Sequence, residues 1–165
     1  MSRTFVLIHG SWHGGWAWQG VIRYLSQQGH HAHAPTLPGH GPAVMRAGIA
    51  HQDCVDAVVV YILERGLQGV ILVGHSFGGT VVQKVAERLP DRIARVVFLD
   101  ALVLGDGQCV FEYLPADYVA LFNDLAGASS DNTMLIPSEI WRDNFIQDAP
   151  ESVVRSIWQQ LSPRT

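Results

Sequence analysis

Between Val70 and Val85 the chain reads VILVGHSFGGTVVQKV. An apolar run of β-branched and leucine residues stops at Gly74-His75-Ser76-Phe77-Gly78-Gly79, and apolar residues then resume at helical spacing. A serine hydroxyl is a weak nucleophile at neutral pH. It needs exposure, a base to take its proton, and donors for the oxyanion that forms. A sharp strand-to-helix turn supplies the exposure. Gly74 and Gly78 let strand and helix come close and leave room for a strained backbone at Ser76. A helix starting near Phe77 aims its N-terminal amides and the positive end of its dipole at the developing charge. Small residues at such a turn can also be simple tight packing. The strand before and the amphipathic helix after favour a nucleophile elbow, G-x-S-x-G, with Ser76 as the expected catalytic residue.

A second glycine-rich stretch, His9-Gly10-Ser11-Trp12-His13-Gly14-Gly15-Trp16, follows the first apolar run. Acyl transfer at such an elbow takes one oxyanion donor from the residue after the nucleophile and another from the loop of an earlier strand. The expected oxyanion-hole donors are the backbone N–H groups of Phe77 and Ser11. Losing one such donor typically costs ~10²–10³ in rate. The tryptophans of this stretch read as packing residues.

The base is harder to find. The chain has 8 histidines, and all of them precede Ser76. The elbow motif usually runs Ser, then acid, then His along the chain. Geometry rather than order defines a triad, yet His9, His40 and His75 are each poor substitutes, with His75 expected to point away from the serine hydroxyl. Asp100, at the end of the fourth apolar run, is a possible acid; with no histidine to orient, it reads more readily as a strand-end polar residue.

Four elements must position these groups. Short apolar runs at Phe5–Ile8, His31–Pro35, Val70–Val73 and Val96–Leu99 read as strands. The third and fourth are continuously apolar, the pattern of strands covered on both faces. Helical spacing links them: Trp18, Val21, Ile22 and Leu25; then His51 to Arg65; then Thr80 to Leu89, closed by Pro90. The alternation predicts an α/β fold with a mainly parallel sheet over residues 1–104. Residues 105–165 show no convincing strand; helices are expected at Ala116–Leu125, Pro137–Gln147 and Pro150–Leu161.

The 165 residues suit one domain. A net charge of −4 without a Lys/Arg run makes nucleic acid and anionic membranes poor partners. The two cysteines, Cys54 and Cys109, have no metal-like spacing. No apolar stretch is long enough to span a bilayer, and the N-terminus lacks a secretory pattern, so a cytoplasmic location is expected.

Taken together, FVLIHGSWHGGWAW, PTLPGHGP and VILVGHSFGGTVVQKVAERLPDRIARVVFLDA resemble the α/β-hydrolase superfamily, in particular the plant methyl-ester esterases and hydroxynitrile lyases and their bacterial relatives. The resemblance is dense from residue 4 to about residue 104 and looser beyond, where the helices and the closing LSP look like that family's cap. It implies Ser76 as nucleophile and the Phe77 and Ser11 amides as oxyanion hole. It places Gly10 where the lyases carry threonine and the esterases glycine, which favours ester hydrolysis. His13 matches a histidine common to both branches, as a loop residue or as a substrate contact. Phe122, Trp141 and Phe145 would line an apolar lid over a small hydrophobic ester, or serve ordinary helix packing. No metal or cofactor is implied. An ester hydrolase is thus expected, with a lyase or a non-catalytic small-ligand binder as alternatives. The family continues for two more strands and two more helices, which would carry the acid and histidine. The chain is therefore expected to be the N-terminal portion of a longer, incomplete fold, or a short derivative. The strand containing RVVFLDA would otherwise be a bare apolar edge. A further segment, a second copy in a homo-oligomer, or a rearranged cap is expected to cover it.

Overall fold

The computed structural model describes residues 1–41 and 44–164; Pro42 of the PTLPGHGP motif and Thr165 lie outside the described residues. The first 101 residues alternate strand and helix: β1 (Thr4–Ile8), α1 (Gln19–Gln27), β2 (His31–His33), α2 (His51–Glu64), β3 (Val70–Ser76), α3 (Gly78–Arg88) and β4 (Ile93–Ala101). Three helices follow, α4 (Ala116–Ala128), α5 (Ser138–Phe145) and α6 (Glu151–Trp158). The strands form one sheet in the order β2-β1-β3-β4, every pair parallel.

Alternation along the central strands feeds two layers. Val6 and Ile8 of β1 and Val70 and Leu72 of β3 pack with Val55, Val58 and Ile62 of α2 and Val81, Val82 and Val85 of α3. Leu7 and Val73 point to the other face, where Trp18, Ile22 and Leu25 cover them. Each such side chain removed from water is worth about 1.5–3 kcal/mol; the two-sided burial expected of the third and fourth runs holds for β3 but not for β4, which lies at the sheet edge with no fully buried residue, and β1 takes the other central place. Asp53 starts α2 by accepting the Ala50 N–H at 2.7 Å, and Pro90 follows the end of α3. Backbone approach is tightest at Gly15, where a Cβ would lie 2.1 Å from the Ala34 carbonyl oxygen.

Two strand boundaries differ from the sequence expectation. β2 stops at His33 rather than Pro35, because beyond it Thr36 Oγ1 accepts the Gly15 N–H and the chain turns away from β1. β4 is longer than Val96–Leu99, since its pairing with β3 already begins at Val70↔Ile93. Among the described residues β4 pairs with β3 alone, and Phe98 and Leu99 stand 42% and 49% exposed. Helices α4–α6 do not reach this edge. They gather around Trp12, with Phe122, Ile136, Trp141, Val154 and Leu161 forming a separate core, so a rearranged cap is not what covers β4. No helix among the described residues is long and apolar enough to cross a membrane.

Candidate active site

Ser76 is the last residue of β3 and has φ +51°, a left-handed conformation rare for a residue with a side chain. Its surroundings enforce this bend. A Cβ on Gly74 would lie 2.6 Å from the Gly78 carbonyl oxygen, and one on Gly78 would lie 2.7 Å from the carbonyl oxygens of both Ile8 and His9. Strand β3, helix α3 and the end of β1 are therefore in backbone contact around the serine. The Leu102 N–H donates to the Ser76 carbonyl at 3.0 Å, tying the end of β4 to the same turn. Ser76 itself is half-buried.

The first turn of α3 is fixed from the side. Thr80 Oγ1 donates to the Phe77 carbonyl at 2.8 Å and, with its proton so used, accepts from His51 Nε2 at 2.9 Å. The Phe77 ring is buried, stacked on His40 at 6.3 Å and edge-on to His51 at 5.8 Å.

The loop after β1 lies against the elbow. A Cβ on Gly10 would fall 2.9 Å from Ser76 Cβ and 3.0 Å from His75 Nδ1, so any side chain at position 10 collides with the serine. Trp12, at φ +64°, completes the bend. In the loop and turn hydrogen bonds of the described residues, neither the Ser11 nor the Phe77 N–H is engaged. Ser11, Phe77 and Ser76 thus sit on two loops held together by the Gly10 and Gly78 contacts.

The histidines divide into structural roles. His9 is buried; its Nε2 accepts the Leu37 N–H at 3.0 Å, so its proton sits on Nδ1 and is donated to the Gly10 carbonyl at 2.9 Å. This neutral ring joins the loop after β1 to the loop after β2, and neither nitrogen is left for Ser76. His13 donates Nδ1–H to the Ser11 carbonyl at 2.8 Å and lies beside Trp16 and Trp141. His40 Nδ1 donates to the Pro38 carbonyl at 3.0 Å, and its Nε2 is buried with no hydrogen-bond partner among the described residues. His75 meets Trp18 edge-on at 6.4 Å; burial lowers its pKa, and Asp100 opposes that shift.

Asp100 stands on an exposed irregularity of β4 at φ +43°, where the register slips between His75 and Ser76 and the serine pairs with Ala101. Its electrostatic neighbour is therefore His75, and no hydrogen bond or ion pair joins it to a histidine among the described residues. Of the expected lid residues, Phe122 and Trp141 are 6% and 1% exposed inside the α4–α6 core, where they pack the helices together. Phe145 is half exposed, edge-on to Trp12 at 6.1 Å.

One residue at the site escaped the sequence. Arg164 donates to Ser11 Oγ at 2.5 Å, and its Cζ lies 4.2 Å from the centroid of the Phe77 ring. It also borders a cavity of about 730 Å³ between α3 and the loop 104–111, which Phe77 and His51 line but Ser76 does not. A lone arginine after LSP carries no pattern that marks such a role.

The buried histidines make stability depend on pH. Burial is the largest cause holding His9 down to about 3 and His40 to about 4, from 6.5. Below 6.5 the unfolded chain takes up protons that the folded chain refuses, so stability is full at neutral pH and falls as pH drops toward the folded values. Each group contributes a loss of about 1.4 kcal/mol per pH unit well inside that window. Thermal melts from pH 7 to pH 4.5 are expected to fall steeply, and His40→Gln to flatten the slope. A profile that His40→Gln leaves unchanged would assign the acid sensitivity elsewhere.

The profile described as "Alpha/beta hydrolase family" matches residues 5–164. A carbendazim hydrolyzing esterase from Nocardioides sp. is 38% identical over 114 residues, covering 68% of this chain and 47% of that protein. A putative chloroplastic methylesterase, number 13 of Arabidopsis thaliana, is 31% identical over 134 residues, covering 78% of this chain and 28% of its own length. Among solved structures, an extracellular alpha/beta-hydrolase from a Paenibacillus species, described as sharing structural and functional homology with tobacco salicylic acid binding protein 2, superposes with a TM-score of 0.94 at 39% identity. That match covers 98% of this chain and 66% of the Paenibacillus chain. The chain thus spans less than half the length of these two curated relatives.

Proposed function

Because this chain belongs to the α/β-hydrolase family, we propose that it is the nucleophile-bearing part of a carboxylic-ester hydrolase. The observation that carries this reading is the left-handed backbone of Ser76, wedged by Gly74 and Gly78 and faced by Gly10. A strained serine in so restricted a setting is the arrangement that a nucleophile elbow requires.

In the proposed cycle Ser76 Oγ attacks the ester carbonyl carbon, and the Ser11 and Phe77 N–H groups hold the negative oxygen of the tetrahedral intermediate. A histidine accepts the serine proton and returns it to the leaving alcohol. Water then attacks the acyl-enzyme by the same route. His9 cannot be that base, since both its nitrogens are bonded away from Ser76. The base, and the chain that covers β4, then come from beyond residue 165 or from a second copy, a reading supported by the greater length of the relatives. Relatives named as esterases support an ester substrate. Glycine at position 10, where the lyases carry threonine, weighs against the lyase reading.

A second reading is a small-ligand binder that has lost the chemistry, kept in view by His9, whose two nitrogens are committed to Leu37 and Gly10 rather than to Ser76. A fluorophosphonate probe, applied to protein that carries the proposed base, separates the two. Covalent labelling mapped by peptide mass to Ser76, together with release of acid from simple esters and no cyanide from cyanohydrins, is the expected result. An unlabelled Ser76 in protein that still binds small apolar molecules would leave the binding reading in its place.

A further inference from the structure

The last residues of the helical segment return to the elbow. The Ser162 N–H donates to the Trp12 carbonyl at 2.8 Å, and Ser162 Oγ accepts the Gly41 N–H at 3.0 Å. Arg164 and Met134 exchange both backbone hydrogen bonds, at 2.8 and 3.0 Å. The arginine backbone is therefore fixed, and its side chain is half-buried. Its guanidinium meets the hydroxyl of Ser11 at 2.5 Å and the face of Phe77 at 4.2 Å. A charge-assisted hydrogen bond is roughly twice as strong as a neutral one, and a cation over an aromatic face is attracted by the ring's quadrupole. Both contacts fall on residues whose amides are assigned to the oxyanion.

We infer that Arg164 is a positioning residue for the oxyanion hole, clamping Ser11 to Phe77 across the gap between the loop after β1 and the start of α3. The inference rests on the reading of Ser76 as nucleophile. The Gly10 and Gly78 contacts set how close the two loops come, but they bear on the loop one residue before Ser11 and one after Phe77. Arg164 fixes the donor residues themselves. It also couples the hole to the helical segment: a movement of α5 or α6 that draws away Ser162 and Arg164 slackens the Ser11 loop. Misplacement of a reacting group by about 1 Å costs on the order of 10² in rate, so this coupling sets the acylation rate more than it sets affinity.

The test compares Arg164→Met, Arg164→Lys, Ser11→Ala and the double variant with the unsubstituted chain, using Arg155→Met as an exposed control. Hydrogen exchange of peptides spanning residues 9–16 is expected to quicken severalfold in Arg164→Met and Ser11→Ala and to stay unchanged in Arg155→Met. The maximal rate of Ser76 phosphonylation is expected to fall roughly tenfold in each single variant, less than the loss of a whole donor, with half-saturating probe concentration unchanged. The double variant is expected to be no slower than either single one, and Arg164→Lys to recover part of the loss. Unchanged exchange at residues 9–16, or losses that multiply in the double variant, would overturn the inference. Labelling is measured in protein that carries the proposed base; if Ser76 resists the probe there, the nucleophile reading is refuted instead, and exchange still decides whether Arg164 holds the loop.

Discussion

In protein that carries the proposed base, Ser76→Ala is expected to abolish phosphonate labelling and to lower ester turnover by about 10⁴-fold or more, the scale of loss when a serine nucleophile is removed. The fold should scarcely notice. The side chain is half-buried, and no hydrogen bond to Ser76 Oγ is formed among the described residues, so the stability change should stay within about 0.5 kcal/mol. Ser76→Gly makes the sharper test, because the two effects separate. The left-handed φ of +51° costs a residue with a Cβ about 1–2 kcal/mol, and glycine gives back roughly 0.5–1 kcal/mol through the greater freedom of its unfolded chain. Ser76→Gly should therefore unfold at slightly higher urea than Ser76→Ala while being equally inert. A serine held in a costly backbone geometry that its own removal relieves is what a functional site predicts. Retained turnover in Ser76→Ala, or a glycine variant less stable than the alanine one, would show that the bend serves packing alone.

What could be read from the chain follows from how local each signal is. The β3–turn–α3 unit was legible because its hydrophobic period, its break and its glycines lie within sixteen consecutive residues. The order β2-β1-β3-β4 was not, since parallel pairing is settled by contacts between distant segments. His9 shows the same limit. Its tautomer is fixed by the Leu37 N–H, 28 residues away, and nothing near position 9 announces that bond. The resemblance leaves Phe122 and Trp141 as lid residues or as ordinary helix packing. Spacing cannot say whether the inner side is a cavity or a core, and Trp12, Ile136 and Leu161 make it a core. The exposure of Phe98 and Leu99 follows from the apolar run Val96–Leu99 lying on an unpaired edge, and it marks β4 as the edge at which the proposed additional chain or second copy would pair.

The contact that brings elbow and oxyanion loop together should be sensitive in both stability and chemistry. A methyl group on Gly78 would lie 2.7 Å from two carbonyl oxygens at the end of β1 and 3.1 Å from the Ile8 carbonyl carbon. These are backbone atoms at the buried end of a parallel strand, so no rotamer change can make room, and α3 must move as a body. Overpacking of this kind costs about 1–3 kcal/mol. Gly127→Ala is the matched control: it also lies in a helix, α4, but nothing stands within 4 Å of where its methyl group would lie. There the substitution should gain about 0.5–1 kcal/mol from reduced chain entropy. The same entropy gain acts at Gly78, so urea unfolding should separate Gly78→Ala from Gly127→Ala by the overpacking cost, about 1–3 kcal/mol. Chemistry should suffer more than stability. Any shift of α3 moves the Phe77 amide relative to Ser11, and a misplacement near 1 Å is worth on the order of 10² in rate, so the folded fraction of Gly78→Ala should react with the phosphonate at least that much more slowly. If Gly78→Ala proved as stable and as reactive as Gly127→Ala, the close approach of α3 to β1 would not be what aligns the two amides.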